Sequence, residues 1–383
     1  MLAPKIAVVG VGGAGCRIVD SMALMTQAGP FFTVISTDMK TLTACKISSR
    51  MRIGEKTDSF LGIAGDPLKG AEAANFSRNE IKNLFSDVDI AFLVAGLGGG
   101  TGSGATPVII DIARECGVMT IAVVVMPFPF EGESKEGIAR KAFEKIKKKA
   151  DVVVRIPNSR LADATEGRLK ETMTAVTELI SKGICGIWKT IAKSTFLGFD
   201  FDDLQAIVRD THGVCTFAFG EGSGKEKAEI AGQALMESPM LENGAVLQNT
   251  SAIIISLIGG PDLTVSEVEK VISIISNKVP VQTKKLTGVV MDENWRNRLM
   301  VMLMVAEDAG NVVDDGEVLE EVKEEQKSVG GKPFSRLIGV QANLDLISMM
   351  EKGRFKNIEP TYWGESNLDV PTFIRKKIVI KSD

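Results

Sequence analysis

The sequence predicts an α/β protein: a doubly wound domain built on a parallel sheet, joined by a long central helix to a second, smaller α/β domain. Three observations carry that expectation. Short apolar runs alternate with helical patterns through the first half of the chain, a glycine-rich turn separates strand from helix at Gly10–Gly15 and again at Gly98–Gly104, and one apolar stripe of helical spacing ends at Ile191.

The runs Ile6–Val9, Phe32–Ile35, Ile90–Val94, Ile121–Val125 and Val152–Ile156 read as strands, and Cys16–Met25, Arg78–Phe85, Pro107–Cys116 and Glu136–Lys149 as helices. Hydrophobicity in these strands is continuous rather than alternating, which implies burial on both faces, as in a parallel sheet covered by helices. From Met173 onward, Val176, Ile180, Ile184, Ile187 and Ile191 recur at spacings of three and four, giving one apolar face about five turns long. Further on, Ala252–Ile258, Leu286–Met291 and Leu299–Val305 read as strands, with a helix carrying Val265, Val268, Val271, Ile272 and Ile275. The expected organisation is a first domain over 1–170, a connecting helix over 171–197, a second domain over 198–310, a linker over 311–365 and a terminal peptide over 366–383.

Composition excludes several classes. A net charge of −4 and 5% aromatic residues provide neither an electrostatic footprint nor stacking platforms for nucleic acid. Five cysteines, odd in number and without a C-x-x-C pair, suggest neither a disulfide framework nor a zinc site. The start of the chain lacks the pattern of a secretory leader, and no apolar run approaches the roughly 20 residues of a membrane span. The expected setting is therefore cytoplasmic, with any membrane contact peripheral. His212 is the single histidine, which removes a Ser-His-Asp triad and a histidine-rich metal site.

The chemistry lies in the glycine loops. Gly10-Val11-Gly12-Gly13-Ala14-Gly15 follows a strand and opens a helix, where bare backbone N–H groups and the positive helix end favour an anion. By itself the loop also fits the dinucleotide-binding pattern, with Asp38 placed as the ribose acid. The second loop, Gly98-Gly99-Gly100-Thr101-Gly102-Ser103-Gly104, again joins strand to helix. Five glycines in seven residues cost more backbone entropy than a turn requires, and a phosphate-cradling nest accounts for the excess. The stretch Gly220-Glu221-Gly222-Ser223-Gly224-Lys225 evokes a Walker loop but is one residue short and reads as a flexible turn.

The second loop is close to the tubulin signature G-G-G-T-G-[ST]-G, and together with the first it resembles the FtsZ family of tubulin-like GTPases. Ser36-Thr37-Asp38, Leu61–Pro67 (LGIAGDP), Met126–Gly132 (MPFPFEG) and Ile156-Pro157-Asn158 are similar to that family's motifs in order and spacing. The resemblance implies a GTP-binding protein that polymerises head-to-tail into protofilaments of the cell-division ring and hydrolyses GTP between subunits. It places Gly12, Gly13, Ala14, Gly15, Cys16, Arg17, Asp38, Ala64 and Gly65 at the nucleotide, with Gly98, Gly99, Gly100, Thr101, Gly102 and Ser103 at its phosphates. Glu131 falls at the ribose, and Lys135, Asn158, Met173 and Glu178 complete the implied pocket. The family usually carries asparagine at Arg17, arginine at Lys135, phenylalanine at Met173 and an asparagine–aspartate pair at Thr177 and Glu178, so the sugar and base side departs from the pattern.

In Gly198-Phe199-Asp200-Phe201-Asp202-Asp203, Asp200 and Asp203 match the acids that the family inserts into the next subunit's pocket to polarise the attacking water. Gly198 replaces an asparagine there. Magnesium is expected to be held mainly through phosphates and water, with no dedicated protein metal site. At the far end, Leu368, Val370, Pro371, Phe373, Ile374 and Arg375 resemble the family's terminal peptide, which docks on membrane-tethering division proteins. Two alternatives stand beside this reading: a related structural protein that binds nucleotide and co-assembles with little hydrolysis, and an NAD-dependent oxidoreductase.

Overall fold

The structure, a computed structural model, describes residues 4–25, 29–54, 63, 65–192, 198–199, 201–211, 214–307, 362–363 and 366–367. The first half alternates β1 (Ile6–Val11), α1 (Gly12–Met25), β2 (Phe31–Ser36), α2 (Met39–Ala44), β3 (Arg50–Arg52), α3 (Pro67–Phe76), α4 (Arg78–Leu84), β4 (Ile90–Gly96), α5 (Gly100–Glu115), β5 (Met119–Val125), α6 (Glu133–Lys147) and β6 (Val152–Ile156). There follow α7 (Asn158–Ala164), the long α8 (Leu169–Ala192) and α9 (Phe201–Thr211). The second half contains β7 (Val214–Ser223), α10 (Lys227–Met236), α11 (Ala245–Gln248), β8 (Thr250–Gly259), α12 (Val265–Ser276), β9 (Lys284–Met291) and β10 (Arg298–Glu307). Separately, β11 (Tyr362–Trp363) and β12 (Ser366–Asn367) form an antiparallel pair.

One ten-stranded sheet runs in the order β3-β2-β1-β4-β5-β6-β7-β10-β8-β9. Strands β3 to β7 are parallel, β10 is antiparallel to both β7 and β8, and β9 returns parallel to β8. The continuous apolar strands feed two cores, because successive side chains point to opposite faces. Val8, Phe92 and Val123 pack with Ile18 and Met22 of α1 and Ile180 and Ile184 of α8. Val9, Leu93 and Val124 pack on the other face with Ile109 and Ile110 of α5 and Phe143 of α6. This is the parallel sheet that continuous hydrophobicity predicts.

Two elements differ from expectation. The Pro107–Cys116 helix begins earlier, at Gly100, so Pro107 lies inside α5 rather than opening it. A helix through Gly100, Gly102 and Gly104 is possible because its first turn is packed on the preceding strand and on α3. The stretch Gly220–Ser223 is strand, not turn. A Cβ at Gly220 would stand 2.2 Å from the Ala231 carbonyl oxygen, so glycine is what lets α10 lie directly on β7. The turn proper is confined to Gly224–Glu226 and opens on Gly224 at φ +84°, whose N–H donates to the Asn297 carbonyl at 3.0 Å.

Helix α8 ties the halves of the sheet together. Its apolar stripe is buried against the sheet, the Thr190 hydroxyl meets that of Ser256 at 2.5 Å, and Lys189 pairs with Asp292 at 2.8 Å. Among the described residues no helix is long and apolar enough to cross a membrane.

Candidate functional site

Strands β1 and β4 are neighbours, paired from Ile6↔Ile90 to Val11↔Ala95. The chain leaves them in opposite directions across the sheet, which makes their carboxyl ends the switch point where α/β sheets bind ligands. Both glycine loops emerge there, β1 into α1 and β4 into α5. They interlock: at Gly12, φ +72°, a Cβ would meet the Gly102 nitrogen at 3.0 Å, and a Cβ at Gly15 would lie 2.1 Å from the Val94 oxygen. Close packing therefore explains much of the glycine excess. It does not explain Gly99, whose Cβ would meet nothing within 4 Å, or Gly13, whose nearest neighbour is the Thr41 hydroxyl at 3.9 Å. These two face open space above the junction.

The electrostatics favour an anion at that opening. Neither α1 nor α5 has an acidic residue in its first turn, and Gly99 at the α5 N-cap offers no side chain to its free N–H groups. Two hydroxyls brace the loops. Ser103 Oγ, buried, accepts the Gly98 N–H at 2.9 Å, and Thr101 Oγ1 lies 2.7 Å from Thr37 Oγ1. The carboxylate of Asp38 caps α2, accepting the Lys40 and Thr41 N–H groups and the Thr41 hydroxyl. Burial raises its pKa, but these bonds outweigh burial and hold it below the usual carboxylate range. Ala14 and Cys16 lie in the first turns of α1, where burial and the nearby Cys45 push the Cys16 thiol up to about 12.

A cavity of about 1570 Å³ lies beside the α1 and α8 helices. Of the residues named from sequence it gathers Arg17, Glu131, Lys135, Met173 and Glu178. Glu131 is held from two sides: Oε1 accepts the Phe128 N–H at 3.0 Å and Oε2 the Lys135 ammonium at 2.9 Å. Burial pushes its pKa up, yet these two partners bring it below the ordinary value. The cavity also takes in Ser21, Phe128 and Phe130, which were not singled out; the two phenylalanine rings stack with centroids 5.0 Å apart. Their signal was the P-F-x-F spacing, read only as a motif.

Other sites fall elsewhere. Asn158 opens α7 just past β6; it is buried, and its Oδ1 has no hydrogen-bond partner among the described residues. Gly65 is exposed at φ +82°, next to Asp66, which caps α3, and Gly100 packs against it. Asp203 is exposed in the first turn of α9. Ala64, Asp200, His212, and Leu368, Val370, Pro371, Phe373, Ile374 and Arg375 lie outside the described residues.

Interlocked loops at a sheet switch point, bare helix ends and an adjoining cavity define a protein built to hold a phosphorylated ligand. The profile described as Tubulin/FtsZ family, GTPase domain, matches residues 5–166, and that of the FtsZ family C-terminal domain matches residues 213–308. Cell division protein FtsZ 1 of Archaeoglobus fulgidus is 33% identical over 301 residues, covering 78% of this chain and 81% of the relative. FtsZ of Aquifex aeolicus is 31% identical over 339 residues, covering 86% and 92%. A solved FtsZ dimer from M. jannaschii matches with a TM-score of 0.72 at 31% identity, over 79% of this chain and 88% of that one. CetZ2 from Haloferax volcanii, solved as a GTPγS-bound protofilament, shares the fold with a TM-score of 0.64 at 20% identity, over 79% of this chain and 92% of that one.

The chain therefore belongs to the FtsZ family of tubulin-like GTPases, with both of the family's domains present. Membership implies guanine-nucleotide binding and sets aside the dinucleotide reading of the first loop.

Proposed function

We propose that this chain is a GTP-binding cytoskeletal protein of the division ring, assembling head-to-tail and hydrolysing GTP where one subunit meets the next. The observation that carries the reading is the pair of open glycines, Gly13 and Gly99, above two uncapped helix ends at the β1/β4 switch point. Backbone N–H groups there would take the phosphates, with Gly98, Gly100, Thr101 and Gly102 shaping the cradle and Ser103 and Thr37 bracing it. Glu131, fixed by Lys135 and the Phe128 N–H, would receive the ribose, and the cavity along α8 the base.

A donor loop on one face and an acceptor pocket on another make a heterologous contact that need not close, hence a filament. Asp203 is exposed on α9, away from the cradle in sequence, and with Asp200 would act in trans on the water that attacks the γ-phosphate. A magnesium ion would be carried in by the phosphates and water rather than by a dedicated set of protein ligands. Magnesium would neutralise charge on the transferring phosphoryl group. The terminal peptide from Leu368 to Arg375 would dock on membrane-tethering division proteins.

Sedimentation with GTP, GDP and ATP, followed by phosphate release on the same samples, tests the proposal. GTP-dependent pelleting and turnover are expected, with Asp203→Asn lowering turnover about a hundredfold. Filaments without turnover, or turnover indifferent to that substitution, would leave the nucleotide-binding structural alternative in its place.

A further inference from the structure

Helix α6 buries Ala139, Ala142, Phe143 and Ile146 against the sheet and α5, and its opposite side is cationic. Lys141, Lys145 and Lys148 follow one another at spacings of four and three, all exposed, and none makes an ion pair among the described residues. Glu144 offsets one of these charges, and Arg114, exposed in the last turn of the adjoining α5, restores it. The helix dipole favours cations in the last turn, but its effect has faded at Lys141, which also repels Lys145 one turn on. The chain carries the complementary charge elsewhere. Between Asp314 and Glu325, outside the described residues, stand seven acids and one lysine. The described residues fix where that segment departs. Strand β10 ends at Glu307, and Ala306 is in register with Cys215, which is in register with Val154 two strands away. Val154 lies six residues past Lys148, so the chain leaves β10 at the end of the sheet where α6 presents its lysines. Asp314 follows Glu307 by seven residues, a reach of at most about 25 Å.

Resting on the head-to-tail filament proposed above, we infer that the cationic face of α6 docks the acidic segment 314–325 of a second copy, so that neighbouring filaments associate through charge. Copies side by side at equal height present acid to cation without an axial shift, because both features belong to the same end of the sheet. Each exposed ion pair strengthens association only about 1.4- to 5-fold, so three give about 3- to 150-fold. That is too little to pair single molecules, but contacts repeated along a filament add as avidity. Salt removes the contact, since the Debye length shrinks from about 10 Å at 0.1 M to about 3 Å at 1 M. An anionic bilayer would meet the same lysines, yet α6 exposes no large apolar side chain to enter it.

The test mixes full chain labelled with heavy nitrogen and unlabelled full chain, with GTP, and joins carboxylates directly to amines with a carbodiimide before peptide mass mapping. Links from the acids of 314–325 to Lys141, Lys145 or Lys148 are expected, in pairs of mixed isotope. On the same samples, low-speed pelleting of bundles should fall as salt rises to about 1 M, while high-speed pelleting of single filaments persists. Combining Lys141→Glu, Lys145→Glu and Lys148→Glu should cut low-speed pelleting at least about threefold. Adding Glu320→Lys, Glu321→Lys and Glu324→Lys to that protein should restore it, which separates lost charge complementarity from poor folding. Links that are absent or confined to one isotope, or bundling that the charge swap fails to restore, would overturn the inference. So would a triple variant that bundles normally but no longer binds phosphatidylglycerol vesicles, which would assign the face to a bilayer. Failure of the wild type to form filaments at all would overturn the head-to-tail reading instead, with the isotope-resolved links still deciding the docking.

Discussion

Two alanine substitutions in one loop, Gly99→Ala and Gly102→Ala, should separate ligand binding from folding. At Gly102 the new methyl would stand 2.1 Å from the Gly96 carbonyl oxygen, where ordinary contact begins at 3.4 Å, so β4 and the first turn of α5 must part by about 1.3 Å. Both sides of that contact are buried backbone, and overpacking of this kind costs about 3 kcal/mol. The melting temperature should fall by about 4 °C. Gly99 sits at φ −104°, ψ 167°, which any residue adopts, with nothing within 4 Å of an added Cβ. Alanine there gains about 0.4–1 kcal/mol through the unfolded chain but is a poorer N-cap than glycine, so the two effects offset and Tm should stay close to that of the wild type. Its methyl nevertheless occupies the approach to the helix end, and losing one charge-assisted bond of about 1.5–3 kcal/mol weakens GDP binding about 10- to 150-fold. Scanning calorimetry without nucleotide and titration with GDP read the two effects. Gly99→Ala binding GDP within twofold of the wild type would refute the placement of phosphate above Gly99, and Gly102→Ala melting like the wild type would refute the packing account.

Lys227 has a side chain only 4% exposed and pairs with Asp262 and, at 3.5 Å, with Glu267, linking α10 to α12. Burial lowers its pKa but these acids raise it above the ordinary value overall, while the Lys227 ammonium and the Asn297 N–H lower that of Asp262. Stability from the raised lysine is complete below its unfolded pKa of about 10.4 and lost as pH rises through the folded value. That from Asp262 is complete above about 3.9 and lost as pH falls through its depressed value. Lys227→Met should destabilise by about 1–3 kcal/mol at neutral pH, below the full buried-pair figure because Asp262 is 42% exposed and rehydrates; urea unfolding at several pH values checks both size and window. With a thiol pKa of about 12, Cys16 should resist alkylation at pH 8 until the protein unfolds, while the half-exposed Cys116 reacts first, as peptide mass mapping would show.

The strands and large helices were legible because their signals are local. The β1, β4, β5 and β6 runs are apolar without interruption, and α8 repeats isoleucine at helical spacing. Helix α3 was not legible: its buried residues are Gly70, Ala73 and Ala74, chosen for close approach to α5, and small residues leave no hydrophobic period. Strand β7 was misread at its end for a related reason, since glycines that admit α10 against a strand look in sequence like glycines that make a turn.

The sequence alone determined that two glycine-rich strand-to-helix junctions exist, which family they resemble, and that the pocket beyond them departs from the family at Arg17, Lys135 and Met173. Tertiary structure decided that β1 and β4 lie side by side, which glycines serve packing and which face the opening, and that Lys135 fixes Glu131 while Lys189 meets Asp292. The division has a physical cause. Backbone preference and hydrophobic period act over a few residues and are written in neighbours along the chain, whereas strand adjacency and charge pairing join residues such as Val11 and Ala95, or Lys189 and Asp292, that only folding brings together.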